Sequence, residues 1–563
     1  MTERIERMRQ FFVVDKGQKA MWQKEENPYV LAEQFAAEQT PDVDRAARRL
    51  IYVLDKEEPV LFEDERIAFT RTVTTIPEIF TEAEMEELRK EHWIHEKGDV
   101  CNISVDYTKL LNQGFDAKKA ELEVLRQQFS QAGEAAKAHN IKLQIDILDH
   151  VLALAARYQE LAEKKGNDVV ARTLKAVPAH APQSFLEALS MFRIIHFTMW
   201  CGRNYHNTVG RFDQYIYPYL KADLDKGLYT EENALELLEE FFLTFNRDSD
   251  LYPGMQQGDN GQSLVLGGLN EDGSDSYNLL SELCLKACLE LKVIDPKINL
   301  RVHEKTPLGT YILGTQLTKQ GLGFPQYSND DVVIPGLMEL GYKKEDAYRY
   351  VVAACWEFII PGAAMDIPNI EALSFTKAVS DAAMEKLEQC RSYDEFEKAV
   401  RDKINAQADE LCKRVNGVYL YPAPFLSLMM DGCCENGTDV SLGCQYNNYG
   451  FHGTGIATAA DSLAAVKKFV FEEKSMDASA LVKALENDFE GEELLCNRLR
   501  YESPKMGNND DYVDEIAARL LNDFADSLKG RVNDRGGIYR AGTGSAMYYI
   551  CLLYTSPSPR DPK

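Results

Sequence analysis

From about residue 185 onward, long helical patterns alternate with short runs rich in β-branched and aromatic residues, among them residues 262–266 and 298–302. Parallel strands need helices to cover them, so the alternation argues for an α/β fold with a parallel sheet. Upstream, residues 30–175 read as mostly helical. Between residues 141 and 164, Leu148, Val151, Leu152, Ala155 and Tyr158 recur at steps of three and four, which buries one stripe and leaves charge outside. No Gly/Ser linker, internal repeat or low-complexity tract interrupts residues 1–550, which therefore read as a single domain with a helical N-terminal region.

Within that pattern one run stands apart. Residues 351–362, Val-Val-Ala-Ala-Cys-Trp-Glu-Phe-Ile-Ile-Pro-Gly, set a thiol, Cys355, and a carboxylate, Glu357, two residues apart in apolar surroundings. In an extended segment alternation sends both to the same side. A carboxylate among Ala, Val, Ile and Phe is costly to bury unless something uses it, which makes the two a candidate reactive pair. The alternative is a buried cysteine acting as a small hydrophobe. Pattern alone leaves both readings open.

Charge and composition narrow the class of function. A net charge of -27 opposes binding to nucleic acid or to an anionic membrane surface, since either needs a basic footprint. The longest apolar stretches are broken by charge, as where Arg193 interrupts residues 189–200, and none has the length to span a bilayer. The start, Met1-Thr2-Glu3-Arg4-Ile5-Glu6-Arg7, lacks the apolar core of a signal peptide, so a cytoplasmic protein is expected. Cys284 and Cys288 stand one helical turn apart and Cys433-Cys434 are adjacent, but no paired Cys-x-x-Cys sets occur. Buried thiols are expected, and no metal site.

Two glycine pairs, Gly321-Leu322-Gly323 and Gly453-Thr454-Gly455, lack both the full Gly-x-Gly-x-x-Gly pattern and a Walker lysine, so they read as turns or points of close backbone approach. His206 and His452 read as structural histidines. No Gly-x-Ser-x-Gly elbow is present.

Cys355-Trp356-Glu357, followed by Pro361-Gly362, resembles the thiyl-radical loop of the glycyl radical enzymes. Further blocks agree in family order: residues 177–185, 210–215, 266–269, 323–330, 453–463 and 505–511. The likeness runs from about Asp106 to Ile550. It implies a ten-stranded α/β barrel of two five-stranded half-sheets, surrounded by helices, with the cysteine on a finger loop inside and the C-terminal part of the barrel incomplete. It further implies that Cys355 becomes a thiyl radical, that Glu357 acts as general base, and that Asp213 contacts substrate. The other role open to Asp213 is that of a capping or ladder-end carboxylate. Ser263, Asn102 and Asn369 fall at family pocket positions, while Phe358 either lines the pocket or packs the wall.

No cofactor is implied to bind directly. The family's radical resides on the glycine of an Arg-x-x-Gly-Tyr segment and is installed by an activating enzyme that uses S-adenosylmethionine and an iron-sulfur cluster. Residues 1–563 contain no such segment; residues 540–545, Arg-Ala-Gly-Thr-Gly-Ser, have the wrong spacing. Residues 551–563 look like a translated adapter tail. Without the radical glycine the chain is expected to be inactive as it stands, and the resemblance implies a homodimer for the full-length protein. The reaction implied is C–O or C–N cleavage of a small hydroxylated or amino substrate. Ala354 stands where acyl-transferring members have a second cysteine, which disfavours acyl transfer to coenzyme A. Asn102 stands where glycerol-type members have a histidine and Pro368-Asn369 where they have a His-Asp pair, which disfavours a glycerol or propanediol substrate. An arylacetate decarboxylase and a non-catalytic barrel scaffold are the alternatives.

Overall fold

Three helices near the amino end, α1 (Asp42–Lys56), α2 (Gly114–Gln131) and α3 (Ala135–Lys165), realise the predicted helical region. In α3 the expected stripe is buried at Leu148, Val151, Ala155 and Tyr158, whereas Leu152 is half-buried at its margin. The helix stops at Gly166, whose left-handed backbone (φ 71°) closes the last turn. These features come from a computed structural model, which describes residues 1–563 apart from 24–26, 96, 249–259, 355–356 and 545–563.

The chain divides into two compact units, Met1–Met365 with Tyr419–Tyr446, and Asp366–Val418 with Asn447–Lys563. At the centre of the first runs α4 (Phe185–Cys201), capped by Ser184 and buried from Ala188 to its end. Arg193, the charge that interrupts its apolar run, is neutralised by Asp248, whose two oxygens accept from Nη1 and Nη2 at 2.6 Å. Its Nε and Nη2 also donate to the carbonyl of Phe69. Three strands follow, β1 (Ser263–Gly267), β2 (Lys297–Val302) and β3 (Gln326–Asn329), all parallel in the order β1-β2-β3. Helices α5 (Glu231–Thr244), α6 (Leu279–Leu291), α7 (Leu308–Thr318), α8 (Asp330–Glu339) and α9 (Lys344–Tyr348) alternate with them in the chain. Cys284 and Cys288 are buried on α6, and burial pushes the Cys288 thiol up to about 12. An antiparallel hairpin of β4 (Val351–Ala353) and β5 (Glu357–Ile359) comes next.

The second unit holds another parallel sheet, β6 (Ile367–Ser374), β7 (Tyr449–Thr454) and β8 (Tyr539–Thr543), in the order β8-β7-β6. Helices α10 (Phe375–Lys386), α11 (Tyr393–Arg414), α12 (Ile456–Val466) and α13 (Asp511–Leu528) accompany it. Each of the two sheets has three full strands among the described residues, and a parallel bridge from Gly210 to Leu264 extends the first. Gly453-Thr454-Gly455 is the turn from β7 into α12. A Cβ on Gly453 would lie 2.4 Å from the Phe375 ring, and Gly455 is left-handed (φ 78°). Both glycines thus have backbone reasons. Gly542, in the Arg540 block, is a β8 residue paired with His452.

His196 of α4 gives this core a pH signature. It is 1% exposed, its Nε2 accepts from the Trp200 indole at 3.1 Å, and burial with the Arg193 charge holds its pKa down at about 3 despite Asp248. The unfolded chain takes up this proton near pH 6.5 and the folded chain does not, so the stability tied to His196 is complete above 6.5 and is lost as pH falls toward 3. In urea titrations between pH 6.5 and 5, we expect the wild type to lose stability more steeply than His196→Gln, by about 0.7 kcal/mol per pH unit at 6.5 rising to about 1.4 near pH 5. Parallel curves for the two proteins would contradict the buried neutral histidine.

Candidate active site

Side chains of parallel strands in register share faces. Ser263, Lys297, Asn299, Arg301, Gln326 and Ser328 therefore lie on one side of β1-β2-β3. The other side is apolar, with Leu264, Leu266, Ile298 and Leu300, and there Tyr327 stacks on Tyr311 of α7. A polar sheet face ordinarily meets water. Here Ser263, Lys297, Asn299, Arg301 and Ser328 are all buried.

The hairpin is tied to this face at both ends. Arg301 Nη1 donates to the carbonyls of Tyr348 and Tyr350, at 2.9 and 3.1 Å, where the chain enters β4. Ser263 Oγ donates to the carbonyl of Ala354 at 3.0 Å, where it leaves. Tyr350 and Ala354 are four residues apart, about 13 Å of extended chain, which matches the about 13 Å from the first to the last residue of β1. Ala354 has φ 44°, a left-handed conformation that costs an L-residue about 1–2 kcal/mol. Strain of this kind persists where neighbours over-determine the backbone, as the Ser263 bond does here.

Arg301 is itself fixed by a buried two-pronged ion pair. Nε and Nη2 donate to the two oxygens of Asp330, the first residue of α8, at 2.9 and 2.8 Å. Burial disfavours the charged guanidinium, but Tyr350 and Asp330 outweigh it and hold its pKa above the ordinary value. Tyr350 lies beneath it, ring centroid 4.0 Å away, with its hydroxyl donating to Asp330 at 2.7 Å. Gly268 permits this packing, because a Cβ there would lie 2.6 Å from Arg301 Nε and 2.8 Å from Asp330 Oδ2. Neither Arg301 nor Asp330 was among the residues expected from the sequence. The signal available was an arginine inside an otherwise strand-like run.

Cys355 lies outside the described residues, between Ala354 and Glu357. Glu357 is 7% exposed and pairs with Ala353 across the hairpin. Its neighbour Phe358 meets Tyr350 edge-on at 5.3 Å and packs on the cluster of Ile334, Leu337, Tyr342 and Ile360, so its surroundings are those of a wall residue. Alternation turns Glu357 to the opposite side. The shared side expected for Cys355 and Glu357 lies outside the described residues at Cys355; before it the left-handed Ala354 ends β4, and the run folds back as a hairpin.

Asp213 hydrogen-bonds the end of β1 beside Arg301. Fully buried in the turn Phe212–Tyr215, it accepts from the Gly267 amide at 2.7 Å, from the Ser281 hydroxyl and from Gln214 Nε2 at 2.9 Å. Burial pushes its pKa up against these bonds. Gly267 ends β1 and Ser263 begins it, so Asp213 and Ser263 serve opposite ends of the strand, and the surroundings of Asp213 are those of a ladder-end carboxylate. Asn102 is buried with a left-handed backbone, φ 57°. Just after it, the carbonyls of Ile103 and Ser104 accept from Thr208 and Gly362, which seats the Asn102 segment beside the chain leaving the hairpin. Asn369 belongs to the second unit, half-buried where the β6–β7 register shifts between Ile367 and Glu371. Among the described residues no group of three or more His, Cys, Asp or Glu is placed to hold a metal, and no helix is long and apolar enough to cross a membrane.

Residues 78–551 match the family described as pyruvate formate lyase-like. The chain belongs to that family. Among curated relatives it is 28% identical to trans-4-hydroxy-L-proline dehydratase of Clostridioides difficile, over 80% of this chain and 62% of that protein. It is likewise 28% identical to (2S)-3-sulfopropanediol dehydratase of Klebsiella oxytoca, over 79% of this chain and 59% of that one. The chain thus spans about three fifths of the length of the curated relatives it matches. Among solved structures, the glycerol-bound B12-independent glycerol dehydratase from Clostridium butyricum superposes with a TM-score of 0.82 at 25% identity, covering 96% of this chain and 80% of that one. The α/β fold of the pyruvate formate lyase-like glycyl radical enzymes is therefore that of this chain.

The two ties of the hairpin differ in strength. Asp330→Ala leaves a buried guanidinium unpaired and is expected to cost about 3–5 kcal/mol, whereas Ser263→Ala removes one neutral hydrogen bond at about 1 kcal/mol. Denaturant unfolding of both variants checks the order; an Asp330→Ala cost at or below that of Ser263→Ala would show that the ion pair does not anchor the hairpin.

Proposed function

We propose that this chain is the thiol-bearing part of a glycyl radical lyase that removes a leaving group from a small hydroxylated or amino substrate. One observation carries the reading: the hairpin bearing Cys355 and Glu357 lies across a sheet face that is polar yet buried. Radical chemistry on carbon requires exclusion of water and oxygen, and a polar substrate requires partners in place of the water it sheds. The two curated relatives described above are both named dehydratases, which supports the same reaction class.

On this reading a glycyl radical on an Arg-x-x-Gly-Tyr segment supplies the acceptor for the Cys355 hydrogen atom. Cys355 sulfur then takes a hydrogen atom from a substrate carbon, forming S–H and leaving one electron on the carbon. Glu357 removes the proton of the hydroxyl on that carbon, which raises its electron density. The group on the neighbouring carbon departs with its bonding electron pair, as water when it is a hydroxyl that takes up the proton Glu357 has just received. The product radical recovers a hydrogen atom from Cys355. No thiolate is required at any step, so apolar surroundings that disfavour ionisation do not hinder Cys355. The partners on this reading are the small substrate, the activating enzyme and a second copy of the chain, in an anaerobic cytoplasm.

The test is anaerobic activation of the protein extended through an Arg-x-x-Gly-Tyr segment, read by electron paramagnetic resonance and turnover. Cys355→Ser should keep the glycyl signal and abolish turnover, and Glu357→Gln should lower kcat about 10²- to 10⁴-fold. Residues 1–563 alone should give no glycyl signal. Turnover surviving in Cys355→Ser would remove the cysteine from the mechanism.

A further inference from the structure

At the middle of the buried polar face two amide oxygens lack donors. Asn299 lies on β2, the central strand, and is 1% exposed; its cross-strand partner on β3 is Gln326. Asn299 Nδ2 leans toward the carbonyl of Lys297 at 3.4 Å, which directs Oδ1 away from that strand's backbone. Asn299 Oδ1 and Gln326 Oε1 are both buried, and neither receives a hydrogen bond among the described residues. A buried acceptor left unmade costs about 1–3 kcal/mol, and here there are two on neighbouring strands, about 4.8 Å apart at the backbone.

Two neighbouring donors on this face are committed elsewhere, and the β1 partner has none to give. Arg301 spends its hydrogen bonds on Asp330 and on the Tyr348 and Tyr350 carbonyls. Ser263 is committed to Ala354, and Val265, the β1 partner of Asn299, has no polar group. The hairpin crosses the face from Arg301 to Ser263, so both oxygens sit on the face that it spans, at the strand position between its two anchors.

We propose that Asn299 and Gln326 are specificity-determining residues, whose side-chain oxygens accept hydrogen bonds from a substrate with two donors on neighbouring carbons. The class is a vicinal diol, or an alcohol bearing a protonated amine beside it. An arylacetate, whose ring donates nothing and whose carboxylate only accepts, would leave both oxygens unpaired and meet them with like partial charge. The proposal rests on the lyase reading for the fate of the ligand, but the binding it describes needs no radical.

Binding is therefore measured on residues 1–563 without activation, by calorimetry and ligand-observed nuclear magnetic resonance. The probes are propane-1,2-diol, glycerol, 2-aminoethanol and trans-4-hydroxy-L-proline, set against propan-1-ol and phenylacetate. At least one paired-donor probe should bind more tightly than both controls. Asn299→Leu should weaken that probe about tenfold or more, while Asn299→Asp, which keeps the acceptor, should retain it. If Asn299→Leu loses its folded circular dichroism, Gln326→Leu, at the less buried neighbour, gives the same comparison. Phenylacetate binding best, a dissociation constant unchanged within twofold in the leucine variant, or no binding of any paired-donor probe would each overturn the proposal, the last because the oxygens would then hold water alone. Cys355→Ser separates the two readings: it should bind the probes as the wild type does, so lost binding bears on Asn299 and lost turnover with binding intact bears on the lyase.

Discussion

The geometry of the β4–β5 hairpin depends on one buried ion pair, Arg301 with Asp330. The guanidinium bonds both oxygens of one carboxylate, two backbone carbonyls and the face of one aromatic ring. Its planar fork suits this work in a way a lysine ammonium does not, because the donors point in fixed directions. The pair joins three elements remote in sequence: the end of β2, the start of α8 and the entry to β4. Gly268 is the space this arrangement needs, and Arg211, which reaches the same Tyr348 carbonyl at 3.4 Å, feels the cost of a second cation nearby. Burial and the Arg301 charge lower its pKa to about 10.

Around that pair the sheet divides its labour by parity. Odd positions of β1 and β2 and even positions of β3 share the hairpin side and are polar apart from Val265 and Gly267, whereas the alternates on β1 and β2 are apolar. Most buried strands of parallel sheets are apolar on both sides. The departure on one side is where a polar small molecule would find partners, and the apolar side supplies the burial that holds the strands in register.

Much of this was legible in the residues. The alternation of helical and β-rich runs predicts parallel sheets with covering helices, the stripe of α3 follows its three-and-four spacing, and both glycine pairs are turns. Cys355-Trp356-Glu357 draws attention to the segment by placing a carboxylate in an apolar run, and Glu357 is indeed buried. The hairpin was not legible, because nothing about an alanine announces a left-handed backbone; that conformation is imposed by Ser263, 91 residues away. The role of Asp213 depends on Gly267 and Ser281, 54 and 68 residues distant, which no local pattern reveals. Lys297, Asn299 and Arg301 alternate with apolar residues as a solvent-facing strand would, and only tertiary cover, to which the hairpin contributes at Arg301 and Ser263, makes that face interior.

The hairpin is gripped by its backbone. Arg301 holds the carbonyls of Tyr348 and Tyr350, and Ser263 holds that of Ala354. Carbonyls are the same in every residue, so these grips do not read the side chains of β4 or of the residues that follow Ala354. A lineage can therefore exchange side chains along β4 and after Ala354 while the mount stays as it is.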